Sequence, residues 1–158
     1  MTIDPTVLVH IKDLREQRAL RELRQARDAQ KRAQDALDQC QKELADYQVW
    51  RPQRERALYD EVHEKAVKRR DLDDLKVEII KLREQELELI DQVTASEKTL
   101  DEAKTERLAA EQRYKEACAG KQKIEHLATE WREREALRME RLSDLEMEDF
   151  HRVRNPTL

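Results

Sequence analysis

Apolar side chains recur at alternating spacings of three and four from residue 72 to residue 145, with no proline to interrupt them. The ladder runs Leu72, Leu75, Ile79, Leu82, Glu86, Leu89, Val93, Ser96, Leu100, Ala103, Arg107, Ala110, Tyr114, Ala117, Lys121, Ile124, Ala128, Trp131, Glu135, Arg138, Leu142, Leu145. About three quarters of these positions are apolar over about ten heptads, which is the signature of a coiled-coil seam. One helix of that extent would be about 110 Å long at 1.5 Å per residue, too long to bury its stripe on itself. It needs a partner helix.

The first half of the chain supplies one. Asp4 and Pro5 read as N-cap and first-turn residue of a helix entering at Thr6. Val7, Ile11 and Leu14 open its stripe, a phase shift near Glu16 to Arg18 reads as a stutter, and the stripe resumes as Ala19, Leu23, Ala26, Gln30, Ala33, Leu37, Cys40, Leu44, Tyr47. Pro52 removes a backbone donor and crowds the carbonyl four residues back, so a kink or break is expected at 48–52. Leu58, Val62 and Ala66 then share a face up to the basic cluster Lys68, Arg69, Arg70. Asp71 is expected to cap the second helix.

The expected fold is therefore all-α: a single antiparallel two-helix coiled-coil hairpin over residues 1–158. Helix 1 covers about 6–68 with a kink or break near Pro52, the turn about 69–72, and helix 2 about 72–150. With the turn at Asp71, facing residues have numbers that add to about 143. That sum sets Ala33 near Ala110, Cys40 near Ala103, Leu44 near Leu100 and Tyr47 near Ser96, and leaves helix 2 beyond about residue 137 without a facing helix.

Composition supports a helical pair. The chain is 43% charged and 4% aromatic, with one Gly and three Pro, which leaves little material for strands and their turns. A mean hydropathy of -1.03 would suit a disordered chain, but disorder does not sustain a heptad. Residues 1–70 carry 16 basic and 13 acidic groups and residues 71–158 carry 16 and 23, so the two arms attract. That balance favours one chain folding back on itself as a monomer; the alternative is a homodimeric coiled-coil scaffold.

The same features exclude several function classes. A net charge of -4, with no aromatics among Arg15, Arg18, Arg21, Arg24 and Arg27, argues against nucleic acid. No apolar run approaches membrane-spanning length and no secretory signal opens the chain, so membrane insertion is not expected and the compartment reads as cytoplasmic. One glycine cannot build a phosphate loop, and no catalytic motif is present. His126 and Glu130 share a helix face, but two ligands on a charged helix read as a surface pair. No enzyme activity, metal or cofactor is expected. Cys40 and Cys118 fall on seam positions and read as small buried hydrophobes without a disulfide.

Tyr47, Trp50, Arg51, Pro52, Glu55 and Leu58 form the most distinctive local cluster. Together with Leu8, Lys12, Leu14, Arg15, Glu16 and Ala19 near the start, Asp71, Leu72, Leu75, Leu82, Arg83 and Glu84 opening the second helix, and Lys123, Ile124, Glu125, Leu127, Glu148 and Phe150 later, it resembles the FliJ/YscO family, the YscO branch in particular. Gln122 and His126 stand where that family usually has glutamates. The resemblance implies a non-enzymatic stalk protein of type III secretion. It would associate with the hexameric export ATPase as the central stalk does in a rotary ATP synthase, and would also contact the export gate and secretion chaperones.

Two partner surfaces are expected. One is the kink, with Tyr47, Trp50, Arg51 and Pro52, where Trp50 either meets a partner or covers helix 2 near residue 92. The other is the unpaired end of helix 2, where Met139, Leu142, Leu145 and Phe150 stand among Glu140, Asp144, Glu146, Glu148 and Asp149.

Overall fold

The computed structural model describes residues 3–64 and 68–154. Two helices account for it: α1, Pro5–His63, and α2, Arg69–Arg154. They pair antiparallel as a helical hairpin. The pairing divides into two compact units, one combining the chain before Arg24 with the chain after Ala109, the other comprising Arg24–Ala109.

The start of α1 reflects its local chemistry. The Asp4 carboxylate accepts the Thr6 backbone N–H at 2.9 Å and the Thr6 hydroxyl at 2.6 Å, covering a donor that the first turn leaves unpaired. Those bonds, the hydroxyl's first, hold the Asp4 carboxyl below the usual carboxylate range. Pro5 takes the first helical position, where its missing N–H costs nothing.

The start of α2 corrects the expected turn. Asp71 does not cap from outside the helix: it lies inside the first turn, its carboxylate reaches back to the Lys68 backbone N–H at 3.3 Å, and its own N–H bonds the Lys68 carbonyl at 2.9 Å. This is the reach-back half of a capping box, with Lys68 in the cap position and Asp71 three residues on. Helix 2 thus begins at Arg69 and not at 72, and it continues to Arg154 instead of ending near 150. Ala66, expected on the face of Leu58 and Val62, falls outside the described residues, as does the segment 65–67 expected to close helix 1.

Moving the cap from 71 to 68 carries the register with it. Within Arg24–Ala109, the Cys40 thiol lies 3.4 Å from the Ser96 hydroxyl, a pair whose numbers add to 136, one heptad below the expected 143. Ala33 and Leu37 pack with Leu100 and Ala103, not with Ala110, and Tyr47 meets the backbone at Leu82, not Ser96. Leu58 packs with Leu75 and Ile79, flanked by Val62 and Leu82. In the other unit Lys121 reaches Asp13 at 2.8 Å and Glu16 at 3.4 Å, and Arg113 lies 3.7 Å from Glu22.

Polar seam residues explain the choice. Arg51 pairs with Glu86 across the seam, and Glu16 with Lys121. A slip of one heptad toward 143 would set Arg51 against Val93 and Glu86 against Leu58, removing the cross-helix partner of each charge.

On α2 the ladder is correct from Leu75 to Ala128, since every rung is buried or half-buried. On α1 it is correct from Ala19 to Tyr47. The opening stripe is not. Val7, Ile11 and Leu14 are exposed, and Leu8, Val9, Lys12, Asp13 and Glu16 occupy the half-buried positions, so the seam keeps its phase and the expected stutter is absent. Nor does Pro52 end α1: the helix continues on both sides of it, with Pro52 exposed and its neighbours Arg51 and Glu55 ion-paired to α2. Gly120 sits within unbroken α2, and an added Cβ would meet the Lys12 side chain at 3.7 Å, an ordinary contact, so close packing does not require glycine there.

The register is open to a direct test. In a Cys118→Ala background, Ser96→Cys should oxidise readily to a disulfide with Cys40, whereas Ala103→Cys should not. Preferential cross-linking of the Ala103→Cys variant, read on a non-reducing gel, would restore the register of 143.

Candidate partner-binding surfaces

At the first surface, α1 presents Glu43, Asp46, Tyr47 and Trp50 on one face, each one turn or less from the next. The Tyr47 and Trp50 rings lie 5.5 Å apart at 45°. Tyr47 is half-buried, and its hydroxyl donates to the Leu82 carbonyl. Trp50 remains 47% exposed beside it, above a shallow groove of about 390 Å³ that Leu89 of α2 completes, with Glu43 and Asp46 along the rim. Trp50 thus shares this groove with Leu89, one turn from the residue 92 anticipated, and much of its surface stays in water.

Arg51 faces the other way. Its guanidinium bonds Glu55 at 2.8 Å and pairs with Glu86, and Arg83 joins Glu55 at 3.4 Å. The side chains of Arg51, Glu55 and Glu86 are 21%, 13% and 19% exposed. Of the four residues expected here, Trp50 and Pro52 reach solvent, Tyr47 is partly covered, and Arg51 serves the seam. Sequence reasoning does not find Glu55, Glu86 and Arg83 as its partners. The signal is in the ladder: Glu86 is a charged rung, and a charged rung requires an opposite charge on the facing helix.

At the second surface α2 outruns its partner. Every described residue from 136 to 154 is exposed, including Met139 at 60%, Leu142 at 46%, Leu145 at 56% and Phe150 at 66%. Those four residues share one helical segment with Leu137, Met147 and Val153, which are likewise uncovered. Five carboxylates, Glu140, Asp144, Glu146, Glu148 and Asp149, are interleaved with them. An amphipathic end with no facing helix is suited to lie in another protein's groove.

Other candidate chemistry stays modest. His126 lies 3.1 Å from Glu130 on the same exposed helix face, and no group of three or more His, Cys, Asp or Glu is gathered for a metal among the described residues. Both cysteines are free and half-buried. No described helix is long and apolar enough to cross a membrane.

The sequence model of a family described as Type III secretion protein YscO matches residues 5–153. The chain belongs to the YscO family. It is thereby a component of type III secretion. Its structure is similar to the crystal structure of Type III Secretion Protein YscO from Vibrio parahaemolyticus, with a TM-score of 0.84 and 26% identity over 92% of each chain. Among curated proteins none matches the sequence. The YscO assignment accounts for the helical hairpin as a whole, whereas the partner surfaces rest on the exposure of their own residues.

Two measurements probe the chemistry of these surfaces. Hydrogen bonding to Asp13, reinforced by Glu16, raises the Lys121 ammonium well above the ordinary lysine range, and burial raises the Tyr47 phenol above its ordinary 10.0. A group whose folded value is raised contributes stability that is fully present below its unfolded value and is lost as pH rises through the folded one. Thermal melts should thus be level up to about pH 10 and fall above it, and Lys121→Met with Tyr47→Phe should flatten the fall. An undiminished fall in that double variant would place its source elsewhere. For Trp50, already half in solvent, replacement by alanine should cost about 1 kcal/mol. A loss of about 3 kcal/mol or more in denaturant titration would make Trp50 a structural cover instead of a contact surface.

Proposed function

We propose that the chain is a non-enzymatic central-stalk component that binds the hexameric type III secretion ATPase and couples it to export. The observation that carries this reading is the uncovered end of α2: a helix with apolar side chains and carboxylates, exposed throughout residues 136–154, extends past its intramolecular partner. Such an end can enter a ring opening, where its apolar groups find the burial that α1 does not provide. Met139 and Met147 suit a site that must accommodate changing neighbours, because the unbranched thioether repacks at low cost.

The chain works in this reading as a cytoplasmic monomer at the base of the secretion apparatus. Trp50 and Pro52, with Tyr47 beside them, form a second contact, for the export-gate protein or a secretion chaperone. Carboxylates on both surfaces favour partners with basic faces. The competing structural reading, a homodimeric scaffold, would need a long continuous apolar face on the outside of the paired helices. Within Arg24–Ala109 the exposed apolar face of α2 is short: Val77, Ile80, Leu87 and Ile90 share one side, and no large exposed apolar residue follows before Leu108.

Truncation after Arg138 tests the reading. The shortened chain should keep its helicity by circular dichroism, because the described residues removed, 139–154, are all exposed, while co-sedimentation with the ATPase ring and stimulation of ATP hydrolysis are lost. Full stimulation by the truncated protein would remove the C-terminal overhang from the mechanism.

A further inference from the structure

The residues that open α1 are arranged inside out. Toward α2 they present Lys12, Asp13 and Glu16, of which Asp13 and Glu16 are held in ionic contact with Lys121, which also lies 3.8 Å from Glu125. Away from it they present Val7, Ile11 and Leu14, which are 51%, 39% and 49% exposed. These three lie on the face turned away from the seam, so only a rotation of about half a turn would bury them, and it would expose Leu8 and Val9. The ion contacts and the seam residues Ala19 and Leu23, only 8% and 2% exposed, prevent it. Exposing three large aliphatic side chains in a row, while charges occupy the seam, is costly unless the row is itself an interface.

The row is also in register with the arginines that come after it. Val7, Ile11, Leu14, Arg18 and Arg21 are separated by four, three, four and three residues, so they form one continuous heptad stripe on the face opposite the first seam. All five are exposed, and the Arg18 side chain is 78% exposed even with Glu22 at 3.3 Å. The stripe is apolar over its first half and basic over its second.

We infer that this outer face of α1 is a second coiled-coil seam that docks an amphipathic helix of another protein, one with apolar side chains in heptad spacing along one half and carboxylates along the other. Heptad spacing on the stripe selects a helix as the occupant, and Arg18 and Arg21 select acid on its matching half. The docked helix would make a three-helix layer in the unit containing the start of α1. The overhang of a second copy is the other acidic helix to consider, and it does not fit. Laid in the direction of α1, its last turn sets His151, Arg152 and Arg154 against Arg18 and Arg21. Laid the opposite way, it sets the carboxylates of Glu146, Glu148 and Asp149 against the apolar half. The inference is independent of what the overhang engages, so failure of the ATPase reading leaves it standing.

The probe is a synthetic helical peptide of about 20 residues, with leucine at heptad positions along its first half and leucine flanked by glutamate along its second; its partner control has lysine for glutamate. Added to the full chain carrying Trp131→Phe, the acidic peptide should bind saturably by fluorescence anisotropy. Ile11→Ser with Leu14→Ser should weaken it about tenfold or more, and Arg18→Glu with Arg21→Glu should reverse the preference between the two peptides. Both double variants should melt as the parent does, because the stripe faces solvent in the isolated chain. The inference fails if neither peptide binds, or if both double variants bind as the parent does. It fails equally if Ile11→Ser with Leu14→Ser lowers the melting temperature markedly while Arg18→Glu with Arg21→Glu leaves peptide preference unchanged. A concentration-dependent dimer in sedimentation, abolished by Ile11→Ser with Leu14→Ser, would make a second copy the occupant and overturn the assignment to another protein.

Discussion

Charged side chains at seam positions must meet opposite charges on the facing helix, and the pairing of these two helices depends on that requirement. Apolar rungs alone are nearly interchangeable: alanine tolerates alanine, and leucine tolerates leucine or valine, at many offsets of seven residues. Charges are not. Arg51 opposite Glu86 and Glu16 opposite Lys121 are satisfied only at the observed offset. Polar layers of this kind contribute little net stability compared with apolar ones, but they penalise every wrong alignment by stranding a charge.

The way the chain turns is consistent with those layers. Asp71, acting from within the first turn of α2, fixes where that helix begins, and the start of α2 determines which residues lie opposite α1. A local hydrogen bond to Lys68 and distant ion pairs thus specify the same alignment, and such agreement between levels marks a chain with one preferred fold.

Much of this can be read in the sequence, and the failures have physical causes. The all-α class, both helices and the rungs from Leu75 to Ala128 and from Ala19 to Tyr47 come from period and composition, because a long 3–4 repeat has few other solutions. The register is misjudged because Asp is a good residue both at the cap and three residues inside the helix, and sequence alone does not separate the two roles. The start of α1 is misjudged because hydrophobicity is equated with the seam, whereas Lys12, Asp13 and Glu16 hold that place, Asp13 and Glu16 through their contacts with Lys121. Pro52 does not break α1, whose residues Arg51 and Glu55 beside it are held by ion pairs to the partner helix. At the candidate surfaces the sequence correctly locates an unpaired apolar end, but it does not show that Arg51 turns inward while Trp50 stays out.

Small side chains in the seam have a consequence for how such a protein diverges. Ala19, Ala26, Ala33, Ala110 and Ala128 are all buried, Ala110 to 1%. At each of them a larger side chain would push the helices apart, whereas solvent-facing positions accept nearly any helix-forming residue. Selection therefore acts on side-chain volume at a sparse set of sites and on charge at a few more, and leaves most of the surface free to drift. A relative that keeps this fold at 26% identity is what such sparse encoding produces: lineages can exchange nearly their whole exterior, and with it their choice of partners, without altering the scaffold beneath.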